Sequence, residues 1–178
     1  MKKINIIGTS GSGKSTLGRK LADLLDVDYI EMDALFWGPN WSETSDEELF
    51  AKLEQRLSGE EGWVIDGNYT RTIPIKWKDV DMVIWIDLPF WVNFRQSVQR
   101  AVNRAWTKRE LWEGTGNREE WRKLISAKSV VWWMMKTHRK NRIRNTQWLR
   151  DEKFAHIRFV RLQSRREIDQ FLHNLSNK

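Results

Sequence analysis

Apolar positions along the chain recur in two rhythms. Short, nearly unbroken apolar runs at 4–7, 29–32, 63–66, 81–88 and 154–162 predict five strands, each buried on both faces. Between them the spacing lengthens to that of helices. Leu17, Leu21 and Leu24 mark a helix over 15–25. A capping box of Ser45 and Glu48 opens a second, with Leu49, Phe50, Leu53 and Leu57 on one face and Gly59 to close it. Pro89 suits the first turn of a third, whose expected buried stripe is Phe94, Val98, Val102 and Ala105. Ser164 and Glu167 cap a last helix carrying Ile168, Phe171, Leu172 and Leu175. Strands alternating with helices predict an α/β domain, a parallel sheet with helices on both faces. The stretch 106–150 has no strand. It holds a loop at Gly114-Thr115-Gly116, an Asn117/Glu120 capping box and a basic helical run expected to break near Asn141 or Asn145. It reads as an insertion on the α/β body.

One loop concentrates the chemistry. Gly8-Thr9-Ser10-Gly11-Ser12-Gly13-Lys14-Ser15 matches the phosphate-binding P-loop pattern G-x-x-x-x-G-K-[ST], and it follows a strand and opens a helix as that motif requires. Glycines at 8, 11 and 13 let backbone N–H groups turn inward around a phosphate, and the helix start adds its positive dipole end. Ser12 and Thr16 complete the expected nucleotide-binding set. Lys14 is expected to reach the terminal phosphates of ATP, and the Ser15 hydroxyl to ligate Mg²⁺. Magnesium also needs a carboxylate, and Asp33, Asp66 and Asp87 all stand at strand ends, where ligands of parallel sheets bind. Asp66, before the turn Gly67-Asn68-Tyr69, is the favoured metal ligand; Asp87 leads through Leu88-Pro89 straight into a helix. Asp33, two residues after Glu31 on one strand face, is the favoured acceptor ligand or base, with an ordinary helix cap as the other reading. Trp37 and Trp41 either stack on an acceptor or pack as core.

Composition narrows the classes. The 178 residues are 40% hydrophobic with 12 Trp, which excludes a disordered chain. Cysteine is absent, so disulfides and thiolate chemistry are excluded, and the three His are scattered. No apolar run nears 18 residues, and the one at the start is too short for a signal peptide; a cytoplasmic protein with no membrane partner is expected. Charge is lopsided. The net is +7, yet residues 91–150 alone hold 15 basic against 4 acidic residues. That points to a polyanion: a phosphorylated small molecule or a nucleic acid on 91–150. Arg100 and Arg104 lie one helical turn apart and are expected to face the phosphates; Arg139, Arg142 and Arg144 supply further candidates.

The P-loop, Asp66-Gly67, the arginine pair and the basic insertion together resemble the adenylate kinase and shikimate kinase group. The segments 32–41, 66–69 and 83–89 are closer still to FlaR-type topology modulation proteins, an adenylate-kinase-like branch. The resemblance implies a P-loop NTPase sheet of order 2-3-1-4-5 in one domain. It further implies an acceptor subregion at 34–60, a mobile lid at 106–145 with Arg104 and Arg142 in catalytic positions, and ATP with Mg²⁺ as cofactors. The expected activity is phosphoryl transfer to a small-molecule acceptor, and the alternative is an NTP-regulated nucleic-acid-binding protein. The chain departs from nucleoside monophosphate kinases in one respect: no Arg occurs from Met32 to Gln55, which leaves Arg71 to meet an acceptor phosphate.

Overall fold

A computed structural model describes residues 2–59, 61–121 and 129–176. Five strands, β1 (Lys3–Gly8), β2 (Asp28–Glu31), β3 (Trp63–Asp66), β4 (Met82–Ile86) and β5 (Arg158–Leu162), form one sheet of order β2-β3-β1-β4-β5. Every pairing is parallel. The helices are α1 (Lys14–Leu25), the short α2 (Met32–Phe36), α3 (Asp46–Leu57), the short α4 (Ile73–Lys76), α5 (Phe90–Thr107), α6 (Val130–Trp148) and α7 (Arg165–Ser176).

The strand period of two divides the core in half. Ile4, Ile6, Val64, Ile84 and Ile86 pack beneath α1 and α7 with Leu17, Leu21 and Ile168. Ile7, Ile65, Val83 and Trp85 face the other way, onto Leu49, Leu53, Trp77 and Phe154. Both faces are covered, which is why these strands read as unbroken apolar runs. Register sets the functional end. Asp66 pairs with Ile6 on one side and Glu31 on the other, and Gly8 pairs with Ile86.

Local differences from the sequence reading have physical causes. The buried residues of α5 are Asn93, Ser97, Ala101 and Ala105, so of the expected stripe only Ala105 is buried; the start of this face lies against the P-loop, where Gly11 approaches Asn93 and Ser97. Ser58 Oγ closes α3 on the carbonyl of Gln55, so Gly59 is not its cap. Helix α6 runs unbroken through Asn141 and Asn145, because both amides are buried against the body. Strand β5 starts at Arg158, since Phe154 and Ile157 turn down into the core first. The capping boxes at Ser45 and Ser164 form as expected, with Glu48 N–H and Glu167 N–H donating to the serine hydroxyls.

Gly18 shows how tightly α1 sits on the sheet. A Cβ there would lie 2.6 Å from Tyr29 Cε2. Gly18→Ala is therefore expected to lower stability by about 1–3 kcal/mol through overpacking, despite the roughly 1 kcal/mol that alanine gains in a helix. Chemical denaturation measures the sign.

Candidate functional site

The loop after β1 wraps the N-terminus of α1. Gly11 and Gly13 have φ of +80° and +96°, values that L side chains rarely adopt. At Gly11 space is also lacking, since a Cβ would lie 2.1 Å from Ser97 Oγ on α5. Ser97 Oγ donates to the carbonyl of Ser10 (3.1 Å), and Arg100 Nη2 donates to Ser10 Oγ (2.8 Å). On the other flank Asn68 pins Gly8: its Oδ1 accepts from Gly8 N–H (2.9 Å) and its Nδ2 donates to Gly8 O (2.6 Å). The cradle is thus held from the turn after β3 and from α5.

Charge inside the cradle is dense. Lys14 Nζ donates to Thr9 O (3.2 Å) and lies within electrostatic reach of Asp66, Asp33, Glu31 and Arg100. Burial lowers its pKa, an effect the carboxylates oppose. Asp66 is only 4% exposed, and burial raises its pKa against the pull of Lys14 and of hydrogen bonds from Ser15 and Tyr29. Tyr29 Oη donates to Asp66 Oδ2 at 2.9 Å. Glu31 is raised by burial and by Asp66 beside it in register. It accepts from Arg19 Nη2 (3.0 Å) and from Trp112 Nε1 (3.2 Å). Asp33 is exposed at the head of α2, and its Oδ1 accepts from Tyr69 Oη (2.7 Å).

The sequence-predicted residues divide by where the fold puts them. Lys14, Ser15, Asp33, Asp66 and Arg100 converge on the cradle. Arg104 lies near Arg100, which it destabilises electrostatically, and Thr16 is exposed on the first turn of α1. Asp87 is committed elsewhere: Arg161 Nε donates to it at 3.0 Å, and Arg142 Nε lies 3.4 Å away. Arg142 thus meets the end of β4 in this structure, and Arg144 turns to Asn141 Oδ1 (2.9 Å) and the Trp148 ring. Arg71 pairs with Asp46 (2.8 Å) over the ring of Phe36. Trp37 and Trp41 meet edge to face, 5.8 Å between centroids. Of the expected lid, residues 122–128 lie outside the described residues.

Several residues at the site carried no sequence signal. Trp112 sits in a loop that closes on itself: Leu111 N–H donates to Asn117 O (3.0 Å), Gly116 N–H to Glu110 Oε1 (2.7 Å) and Thr115 Oγ1 to Trp112 O (2.7 Å). Asn117, expected to cap a helix, instead clamps this loop to the segment after α2, accepting from Trp41 N–H (2.8 Å) and donating to Gly38 O (2.9 Å). Lys76 is 1% exposed, and its Nζ donates to Gly67 O (3.0 Å), holding the turn after Asp66. Its neighbours Ile73, Ile75 and Trp77 are the only hint in the sequence that this lysine is buried.

The residues fit a nucleotide with its metal ion. Ser12 Oγ is buried with no hydrogen-bond partner among the described residues, an orphaned hydroxyl that a phosphate oxygen would satisfy. Among the described residues no group of three acidic or histidine side chains stands ready to hold a metal alone. Ser15 and Asp66 offer the two-ligand arrangement in which Mg²⁺ keeps phosphate and water oxygens for its other positions. No helix among the described residues is long and apolar enough to cross a membrane.

Sheet order and cradle together define an α/β protein of the P-loop NTPase class. Comparison places it beside small-molecule kinases of that class. The shikimate kinase family model matches residues 10–60. A shikimate kinase of Mannheimia succiniciproducens is 28% identical over 140 residues, covering 76% of this chain and 58% of that protein. One from Sulfurihydrogenibium is 29% identical over 103 residues, 49% of this chain and 61% of its own length. The chain therefore spans about three-fifths of the length of these relatives. The crystal structure of a gluconokinase from Sinorhizobium meliloti superposes with a TM-score of 0.52 at 18% identity, covering 99% of this chain and 94% of that one; this likeness is one of fold.

Lys76 yields a prediction in pH. Burial and Arg144 push its pKa down to about 7 from 10.5. Between those values the unfolded chain holds the extra proton, so stability rises with pH from about 7 toward 10.5. Relative to Lys76→Met, the wild type is expected to gain on the order of a few kcal/mol across that window. Parallel denaturation curves for the two proteins at pH 7 and pH 10 measure the difference.

Proposed function

We propose that the protein is an ATP-dependent kinase that phosphorylates a hydroxyl group of a small molecule. The observation that carries this reading is the placement of Asp33. Its carboxylate is exposed, oriented by Tyr69 Oη and within electrostatic reach of Lys14 at the mouth of the cradle. The family match over 10–60 covers both residues. The shikimate kinase and gluconokinase relatives, named for acceptors that carry hydroxyls, support the same reaction class.

ATP would supply the phosphoryl group, and Ser15 and Asp66 would hold the Mg²⁺ that offsets its charge. The backbone of 8–15, Lys14 and the start of α1 hold the phosphates, with Arg100 and Arg104 bordering the site. Asp33 positions the acceptor hydroxyl and takes its proton. The acceptor oxygen then forms its bond to the terminal phosphorus as the bond from that phosphorus to the ADP oxygen breaks. Segment 34–60 forms the acceptor side. Segment 106–145 acts as the lid, with Arg142 free to leave Asp87 when the lid moves. Within the P-loop kinases we place the chain nearest the FlaR-type branch, on residues 32–41, 66–69 and 83–89. ATP as donor fits work in the cytoplasm. In the basic segment 91–150, Arg100 holds Ser10, Arg142 meets Asp87 and Arg144 turns to Asn141, so these three arginines serve contacts within the fold.

Asp33→Asn is expected to lower kcat by roughly 10²–10⁴ while leaving the KM for ATP near its wild-type value, and Lys14→Ala to abolish turnover. A coupled ADP-release assay across a panel of hydroxylated acceptors checks both. Wild-type kcat in Asp33→Asn removes Asp33 from the reaction.

A further inference from the structure

The acceptor side of the cradle is spanned by a continuous arch of aromatic rings, anchored at both ends on carboxylates of one strand end. Starting from Glu31, Trp112 Nε1 donates to its Oε1. The Trp112 ring meets Trp41 edge to face at 5.8 Å, and Trp41 meets Trp37 at 5.8 Å. Trp37 meets Phe36 at 4.8 Å, and Phe36 meets Tyr69 at 5.3 Å. Tyr69 Oη closes the circuit on Asp33. Three segments far apart in sequence contribute to it: the stretch 31–41 from the end of β2 through the turn after α2, the turn after β3, and the loop at 108–120.

Two arginines on the acceptor side are already engaged, while Lys108 and Arg118 line the cavity beside Trp41 and Asn117. Arg71 is paired with Asp46, and Arg19 with Glu31. Glu31, Asp33 and Asp66 all act on Lys14, so a further carboxylate or phosphate entering beside them meets like charge. What the surface offers is acceptor oxygens on Glu31 and Asp33, and indole edges and faces along the arch. Carboxylates accept from hydroxyl or ammonium groups, and aromatic walls cover the C–H faces of a saturated ring.

Building on the kinase reading above, we infer that this arch recognises the acceptor, that the acceptor is a cyclic polyol, neutral or amine-bearing and free of carboxylate and phosphate, and that Trp112 is a specificity-determining residue that closes over it. A substrate hydroxyl or ammonium takes the place of the Trp112 N–H on Glu31, and the indole ring stays against Trp41 as the outer wall. Asn117, bonded to Trp41 N–H and Gly38 O, keeps the Trp112 loop docked on the acceptor side. The inference differs from the named acceptors of the relatives, both of which carry a carboxylate.

Calorimetric titration of the full chain, with Mg²⁺ and a non-hydrolysable ATP analogue present, tests it. The probes are myo-inositol, glucose and glucosamine on one side, and shikimate, gluconate and AMP on the other. At least one of the first three is expected to bind roughly tenfold more tightly than any of the second three. Trp112→Ala is expected to weaken that binding roughly tenfold with unchanged affinity for the ATP analogue, and Trp112→Phe to restore most of it. Tighter or equal binding of an anionic probe, no binding of any polyol, or unchanged binding in Trp112→Ala overturns the inference. ADP release with the same probes separates it from the kinase reading. Polyol binding without turnover refutes the kinase and leaves the recognition surface standing; turnover of shikimate, gluconate or AMP above that of every polyol does the reverse.

Discussion

The constraint on which the rest of the site depends is the burial of Asp66. A carboxylate at the end of a central parallel strand, 4% exposed, is costly unless its oxygens are satisfied. The fold meets that cost from three sides. Lys14 supplies the countercharge, Ser15 and Tyr29 supply hydrogen bonds, and Lys76 fixes the following turn through Gly67 O. Lys14 and Ser15 lie on α1, Tyr29 on β2 and Lys76 on α4, so docking α1 on the sheet, pairing β2 with β3 and folding the chain back through α4 all serve one buried charge. Satisfaction by Lys14 alone is incomplete, because that lysine is itself desolvated.

The second organising feature is close approach. Where α5 crosses the P-loop, the helix presents Asn93 and Ser97 to the turn at Gly11, where a Cβ would already lie 2.1 Å from Ser97 Oγ. This approach places hydroxyl and guanidinium groups against the loop. Ser97 and Arg100 grip Ser10 from outside while Asn68 grips Gly8 from the sheet side. The loop is held by hydrogen bonds to its own backbone, so its N–H groups are oriented before any phosphate arrives, which lowers the ordering cost of binding.

On the acceptor side, rigidity comes from rings. Edge-to-face contacts fix orientation as well as bury area, and the arch from Trp112 to Tyr69 couples the basic insertion to the segment after β2. Glu31 is the joint. It lies beside Asp66 in register, is held by Arg19 and is touched by Trp112. Asp66 and the Trp112 loop thereby meet on one side chain. Donor and acceptor sides are linked through two adjacent strand ends, without a long relay.

How much of this was legible in the chain follows from the range of the interactions. Strand and helix periods, the capping boxes at Ser45 and Ser164, and the P-loop are local, written within a few residues, and the parallel sheet and its functional end followed from them. The strand-end acids were legible for the same reason. Their expected roles came from the segments that follow each acid, but their partners did not, since Asp87 meets Arg161 and Arg142 and Asp66 meets Lys14 and Tyr29 only through packing. The stripe on α5 was misread, Ala105 apart, because periodicity reports apolar residues, whereas the start of the buried face lies against the turn at Gly11. Asn117 reads as a helix cap in sequence and is a clamp in space; Trp37 and Trp41 read as two tryptophans and stand as links in an arch. By itself the sequence determined the α/β class, the phosphate cradle and the strand-end acids, because these depend on short-range chemistry of neighbouring residues. Only the tertiary structure decided which acid meets which cation, where Lys76 is buried and how Trp112 reaches Glu31, because these depend on distances that close only when remote segments pack together.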